Sequence, residues 1–151
     1  MKNKKSLILV ILLTCCFGAV LYAVKEYNRK PESLETIKED FAISAGQLIG
    51  QYSQEQKTAD QKFLGKTILV KGKINSIDIT DKKNITVVLG SDGEPSSIRC
   101  SIDTLYMDKL PALKEQDSVH LRGVCTGYIP DDMGLGADII LNRCYLTEKI
   151  K

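Results

Sequence analysis

A change of period at Gly65 constrains this chain more than any other feature. Before it, apolar residues recur at helical spacing: Ala45, Leu48, Ile49 and Tyr52 fall at i, i+3, i+4 and i+7. After it the period drops to two. Residues 67–79 are rich in β-branched side chains, with Ile68, Val70 and Ile74 on one side and Leu69, Lys71, Lys73 and Asn75 on the other. Four more extended segments follow, at 85–89, 97–102, 118–128 and 138–147, separated by turns at 81–84 and 91–95 and a loop over 128–137. In 97–102, Ile98, Cys100 and Ile102 share one face. Residues 104–110 read as a short helix stopped by Pro111.

The helical half carries its own start and stop. Ser44 and Gln47 match the capping-box pattern, and Phe41 precedes them as a packing residue. Residues 53–56 offer a second cap, Ala59 and Phe63 continue the apolar face, and Gly65 ends it. Residues 44–64 are therefore one kinked helix or two short ones, placed to cover the apolar ends of the strands. Gly72, midway along the first strand, predicts a bulge or sharp bend there. Three strands, a short helix and two strands, with the first long and bent, is the pattern of a mainly β, five-stranded Greek-key OB-fold barrel. A flat meander would explain neither the helix between strands three and four nor the bend.

The first 24 residues belong to a different solvent. Residues 6–24 hold no charge and are apolar from Leu7 onward. At about 1.5 Å per residue the 18 residues of 7–24 span roughly 27 Å, enough for a hydrocarbon core. Lys2, Lys4 and Lys5 precede the run, so it reads as a retained signal anchor forming one transmembrane helix. Cleavage after Leu21-Tyr22-Ala23 and lipidation at Cys15 or Cys16 fit less well, because bulky residues stand where small ones are wanted. The boundaries expected are an anchor over 1–24, a charged juxtamembrane linker over 25–40, and an OB domain with its leading helix over 41–151. The positive-inside rule slightly favours a C-terminal domain on the extracytoplasmic side, periplasmic or extracellular.

Charge divides along the same line. Residues 1–30 hold six basic residues and one acidic, a net +5, while the other 15 basic and 18 acidic residues leave the body at −3. The overall +2 comes from the anchor region, so the body has no bulk electrostatic reason to bind nucleic acid.

Chemistry-bearing residues are sparse. His120 stands alone in an alternating strand and is expected to face solvent. Asp131 and Asp132 lie in a loop with Pro130 and read as solvated turn residues; Asp138 is expected to make turn hydrogen bonds. Gly134-x-Gly136 precedes a strand and is not a phosphate loop. No metal site, cofactor or enzymatic activity is expected. Cys100, Cys125 and Cys144 have no C-x-x-C spacing. They are either three buried thiols or one disulfide with one thiol left over. If a disulfide forms, Cys125–Cys144 is slightly preferred to Cys100–Cys144, although a symmetric hairpin would put Cys125 opposite Leu141 and the bond would need a bulge.

Several short words of sequence resemble the tRNA_anti-like family of bacterial OB-fold proteins. They are Ile43-Ser44-Ala45, Ala59 through Phe63-Leu64-Gly65-Lys66, Ile68-x-Val70-x-Gly72, Ile98-x-Cys100, Val119-x-Leu121-x-Gly123-x-Cys125-x-Gly127 and Asp138-Ile139-Ile140-Leu141-Asn142-x-Cys144. The resemblance covers about residues 40–147. It implies the barrel and, as in many members, an N-terminal membrane segment. The family's name records similarity to the anticodon-binding OB domain of tRNA synthetases, and the resemblance implies no activity.

The expected role is a membrane-anchored extracytoplasmic binding or interaction module. Its partners would be the membrane through residues 7–24 and an envelope protein, a peptide or a glycan. The candidate groove contacts are Lys71, Lys73, Thr86, Arg99, Ser101 and Tyr128. Single-stranded nucleic-acid binding is the alternative, disfavoured because base stacking has no aromatic to act through on strands two and three. A secreted or lipidated envelope protein, after cleavage, is a further alternative.

Overall fold

The computed structural model describes residues 15, 17–27, 37–81, 84–90, 95–110, 112–130, 133 and 136–150. The chain divides into two units, 1–32 and 33–151. In the first, residues 17–27 are helical, and Phe17, Val20, Leu21, Tyr22, Val24 and Tyr27 are exposed. The anchor expected over 7–24 falls in large part outside the described residues, as do most of the linker and the turn residues Asp92, Gly93, Asp131, Asp132 and Gly134. Among the described residues no helix is long and apolar enough to cross a membrane.

The second unit runs β1 (Phe41–Ser44), α1 (Ala45–Gln54), α2 (Gln56–Phe63), β2 (Thr67–Asp81), β3 (Asn84–Gly90), β4 (Ser97–Ile102), a 3-10 helix (Thr104–Lys109), β5 (Ser118–Ile129) and β6 (Asp138–Ile150). The strands lie in the order β1-β2-β3-β4-β6-β5, and β2 also pairs with β5, so five of them close into a barrel. The length of β2 makes closure possible. Thr67–Lys73 pairs with Ser118–Val124 of β5, and Lys73–Asp81 pairs with β3. The fifth barrel strand, β6, lies between β4 and β5, as this topology requires.

Helix α1 starts as its sequence predicts. The Ser44 hydroxyl accepts from the Gln47 amide at 3.3 Å, and the Gln47 side chain accepts from the Ser44 amide at 3.3 Å. The helical stretch breaks in two at Glu55, which is extended (φ −157°) and makes no side-chain cap bond, so the second cap expected at 53–56 does not form. The buried stripe of α1 is Ala45, Leu48, Ile49 and Tyr52, and α2 adds Ala59 and Phe63. These residues join Ile68, Val70, Ile74, Val87, Leu89, Ile98, Leu121, Ile139 and Leu141 in one core. Burying each large side chain stabilises the fold by about 1.5–3 kcal/mol.

Two local readings change. Residues 41–44 form a strand, β1, parallel to β2, in addition to supplying a packing residue. The Phe41 ring meets Phe63 edge-on at 5.2 Å. Gly72 sits in regular pairing with Val119, next to Lys73, where β2 passes from β5 to β3, and the register shifts of β2 fall further on, between Ile74 and Ser76 and between Ile79 and Asp81. Glycine at 72 serves close approach: a Cβ there would lie 2.9 Å from the Cβ of Ala45, at the start of α1.

Candidate functional site

The outer surface of β2, β3, β4 and β6 is where a barrel of this class presents its groove. Ile98, Cys100 and Ile102 of β4 fill the interior, so Arg99 and Ser101 face outward. Register then selects their neighbours. Thr86 lies beside Asp78 on one side and Ser101 on the other. Val88 lies between Ser76 and Arg99, and Arg99 pairs with Ile140. Ser97 pairs with Asp138 and donates its hydroxyl to that carboxylate. Asp138 is therefore part of this face and not only of a turn.

The electrostatics of the face turn on Arg99. Its guanidinium lies 3.8 Å from the Asp78 carboxylate and 3.8 Å from that of Asp138. The groups are partly exposed, so each pair contributes only about 0–1 kcal/mol. Arg99, the one cation on β3 and β4, is thus flanked by two anions. No aromatic residue stands on β3 or β4.

Lys71 and Lys73 lie elsewhere. They are exposed further back along β2, opposite His120 and Ser118 of β5, and line a recess with Ser44, Ala45, Gly46, Gly72 and Gly90. Tyr128 is within β5 and packs inward, stacked on Tyr52 with ring centroids 4.9 Å apart. Of the expected contacts, the structure brings together Thr86, Arg99 and Ser101. It places Lys71 and Lys73 in a separate recess and Tyr128 in the aromatic cluster under the barrel. The expected contacts omit Asp78 and Ser97. Asp78 carries no outward signal in the sequence: the alternation of Ile68, Val70 and Ile74 puts it on the inward side, and the register shift between Ile74 and Ser76 turns it out.

The thiols are equally separate. Cys100, Cys125 and Cys144 are buried and free. Cys125 lies opposite Leu141, and its sulfur is 3.5 Å from the Tyr52 hydroxyl. Cys144 instead lies over Gly123 and donates to the Leu141 carbonyl at 3.4 Å. The geometry thus does not join Cys125 to Cys144. Burial pushes the Cys125 thiol up, partly offset by its hydrogen bond to Tyr52. Burial likewise pushes Tyr52 well above the ordinary phenol range, with Cys125 adding to the effect. Cys144 is raised well above the thiol range, first by burial and then by Cys100. Thiols held protonated in this way are poor nucleophiles. His120 is mostly covered, and its Nδ1 lies 3.2 Å from the Glu148 carboxylate. Among the described residues no three His, Cys, Asp or Glu side chains are grouped to hold a metal ion.

A closed five-stranded barrel in this strand order, with a short helix between its third and fourth strands, defines an OB fold. The chain belongs to the tRNA_anti-like family, whose model matches residues 1–143. Among solved structures it is similar to a Klebsiella pneumoniae protein described as a "putative nucleic acid-binding lipoprotein", at 12% identity and TM-score 0.53, over 79% of this chain and 100% of that one. It also resembles the asparaginyl-tRNA synthetase of Entamoeba histolytica (18% identity, TM-score 0.42, 58% of this chain and 22% of the synthetase). The aspartyl-tRNA synthetase of the same organism matches at 8% identity and TM-score 0.45, over 82% of this chain and 27% of the synthetase. The chain thus spans about a quarter of either synthetase. No curated protein sequence matches it.

Proposed function

We propose that this chain is an envelope binding module. An N-terminal anchor over 7–24 tethers an OB domain outside the cytoplasm, and the β2–β3–β4 face takes a peptide segment of another envelope protein. The module has no catalytic role of its own in this reading. The observation that carries it is the balance at Arg99. A groove for single-stranded nucleic acid works through uncompensated cations and stacking aromatics. Here the groove arginine lies between Asp78 and Asp138, and the two central strands present Thr86 and Ser101 beside it. Such a face offers hydroxyls, carboxylates and a guanidinium, which suit the amides and mixed charges of a polypeptide. The family model takes in the N-terminal run, matching from residue 1 to 143, and the Klebsiella neighbour is itself described as a lipoprotein. That neighbour's name also keeps nucleic-acid binding as the competing reading.

The test is site-specific photocrosslinking of the full-length protein in its native membrane. A crosslinker at Ser101 is expected to trap one envelope protein, and a crosslinker at exposed Lys57 on α2 is not. Adducts to nucleic acid from Ser101, or equal labelling from both positions, would overturn the reading.

A further inference from the structure

The three buried thiols of the body have different neighbours, and two of them come from adjacent strands, β4 and β6. We propose that Cys100 and Cys144 are joined by a disulfide across β4 and β6 when the chain folds in an oxidising compartment, leaving Cys125 as a thiol. The compartment rests on the extracytoplasmic placement above; the choice of pair does not.

Strand phase is the first support. Cys100 pairs with Leu141, and Ile102 pairs with Cys144, so a step of two residues on β4 matches a step of three on β6. In an unbroken strand, residues three apart point to opposite faces, and with Leu141 inward Cys144 would point to solvent. The extra residue of the bulge reverses that and turns Cys144 into the core opposite Ile102, diagonal to Cys100 on the same face of β4. Both side chains are fully buried. Arg143, within the bulge, has φ 55°, a left-handed backbone that is unfavourable for a residue with a side chain. The distortion is held in place: the Asp103 amide donates to the Cys144 carbonyl at 2.9 Å, and Arg143 Nε lies 3.5 Å from the Asp103 carboxylate.

Space is the second support. A Cβ at position 123 would collide with the Cys144 sulfur, so glycine there makes the room the thiol occupies. The neighbouring thiol acting on Cys144 is that of Cys100. Cys125 has a different partner, the Tyr52 hydroxyl at 3.5 Å.

The chemistry is thiol–disulfide exchange with a disulfide donor, either a small-molecule disulfide or an oxidised dithiol oxidoreductase. The Cys100 thiolate attacks a donor sulfur and expels one donor thiolate. The Cys144 thiolate then attacks the Cys100 sulfur of the mixed disulfide and expels the second. One S–S bond breaks and one forms. The donor gains two electrons, and the two cysteine protons end on its two thiols. Because both sulfurs are sealed in the finished barrel, exchange belongs to the folding chain, before β6 docks between β4 and β5.

Trypsin places each thiol on its own peptide: Cys100 on 100–109, Cys125 on 123–143 and Cys144 on 144–149. Full-length protein from its native membrane is denatured without reductant, alkylated, digested and read by mass spectrometry. A second sample is reduced, denatured and refolded with glutathione and glutathione disulfide before the same treatment. The expected product in both is 100–109 linked to 144–149, with Cys125 alkylated, and the link persists in Cys125→Ser. A link that includes 123–143, or three alkylated peptides after refolding, overturns the pair. A link in the refolded sample alone upholds the pair and overturns the extracytoplasmic placement.

Discussion

The floor of the barrel and its outer face answer to different physics. At the floor, Leu48, Ile49, Tyr52 and Phe63 lie almost wholly out of solvent. Tyr52 stacks on Tyr128 and tilts against Phe63, which meets Phe41 edge-on. On the face, Asp78, Arg99 and Asp138 stay partly in water and meet at 3.8 Å. A buried large side chain contributes about 1.5–3 kcal/mol, and an exposed ion pair about 0–1 kcal/mol. The floor therefore sets stability, and in the proposed reading the face sets what is recognised. Changes at the two should separate cleanly, one moving the unfolding midpoint and the other moving binding.

The largest effect expected is at Phe63. Phe63→Ala empties the centre of the aromatic cluster and should cost about 3–5 kcal/mol in urea unfolding. A loss under about 1 kcal/mol would mean that the helices are not part of the barrel's cooperative core. Gly123→Ala comes next, at about 1–3 kcal/mol, because the new methyl meets the Cys144 sulfur. Combining it with Cys144→Ala should recover most of that loss, and strict additivity of the two would show that the contact is not the cause. Tyr52→Phe keeps the ring stack and removes the hydroxyl facing Cys125, an expected loss of about 1 kcal/mol.

The smallest effect is one of pH, on the solvent side. Asp117 lies below its ordinary value of 3.8, chiefly through its hydrogen bond from Lys149 and then the Lys114 amide. A lowered folded value means the contribution is complete above the ordinary carboxylate range and fades as pH falls through the lowered one. Asp117→Asn should remove a small part of the acid-side loss of stability and leave the neutral side flat. An equal change at pH 7 and at pH 3 would contradict the assignment.

How far the sequence could be read follows the same division. Interior positions announce themselves: Ile68, Val70 and Ile74 alternate, the α1 stripe keeps helical spacing, and residues 97–102 bound β4 as the structure does. Packing leaves a periodic trace in any strand it buries on one side. The short β1 left little trace, because four residues alternate too briefly and its pairing depends on β2, more than 20 residues away. The sequence pattern ends β6 at Thr147 because Glu148 and Lys149 interrupt it; pairing with Ser118–His120 keeps the strand extended to Ile150. The cluster on the face was hidden for a further reason. Asp78, Arg99 and Asp138 come from three strands, and only register brings them together. Arg99 could be read as an outward cation, but the two carboxylates beside it could not. The bulge at Arg143 leaves no mark in the sequence, because the residue with the left-handed backbone there is not a glycine.

The neutralised groove is tested most directly by titrating labelled single-stranded DNA and RNA oligonucleotides with the full-length protein at low salt. The expected result is no saturable micromolar binding, with Arg99→Ala indistinguishable from the unchanged chain. Micromolar binding that weakens steeply as salt rises, and weakens further in Arg99→Ala, would contradict it and make the face a nucleic-acid site.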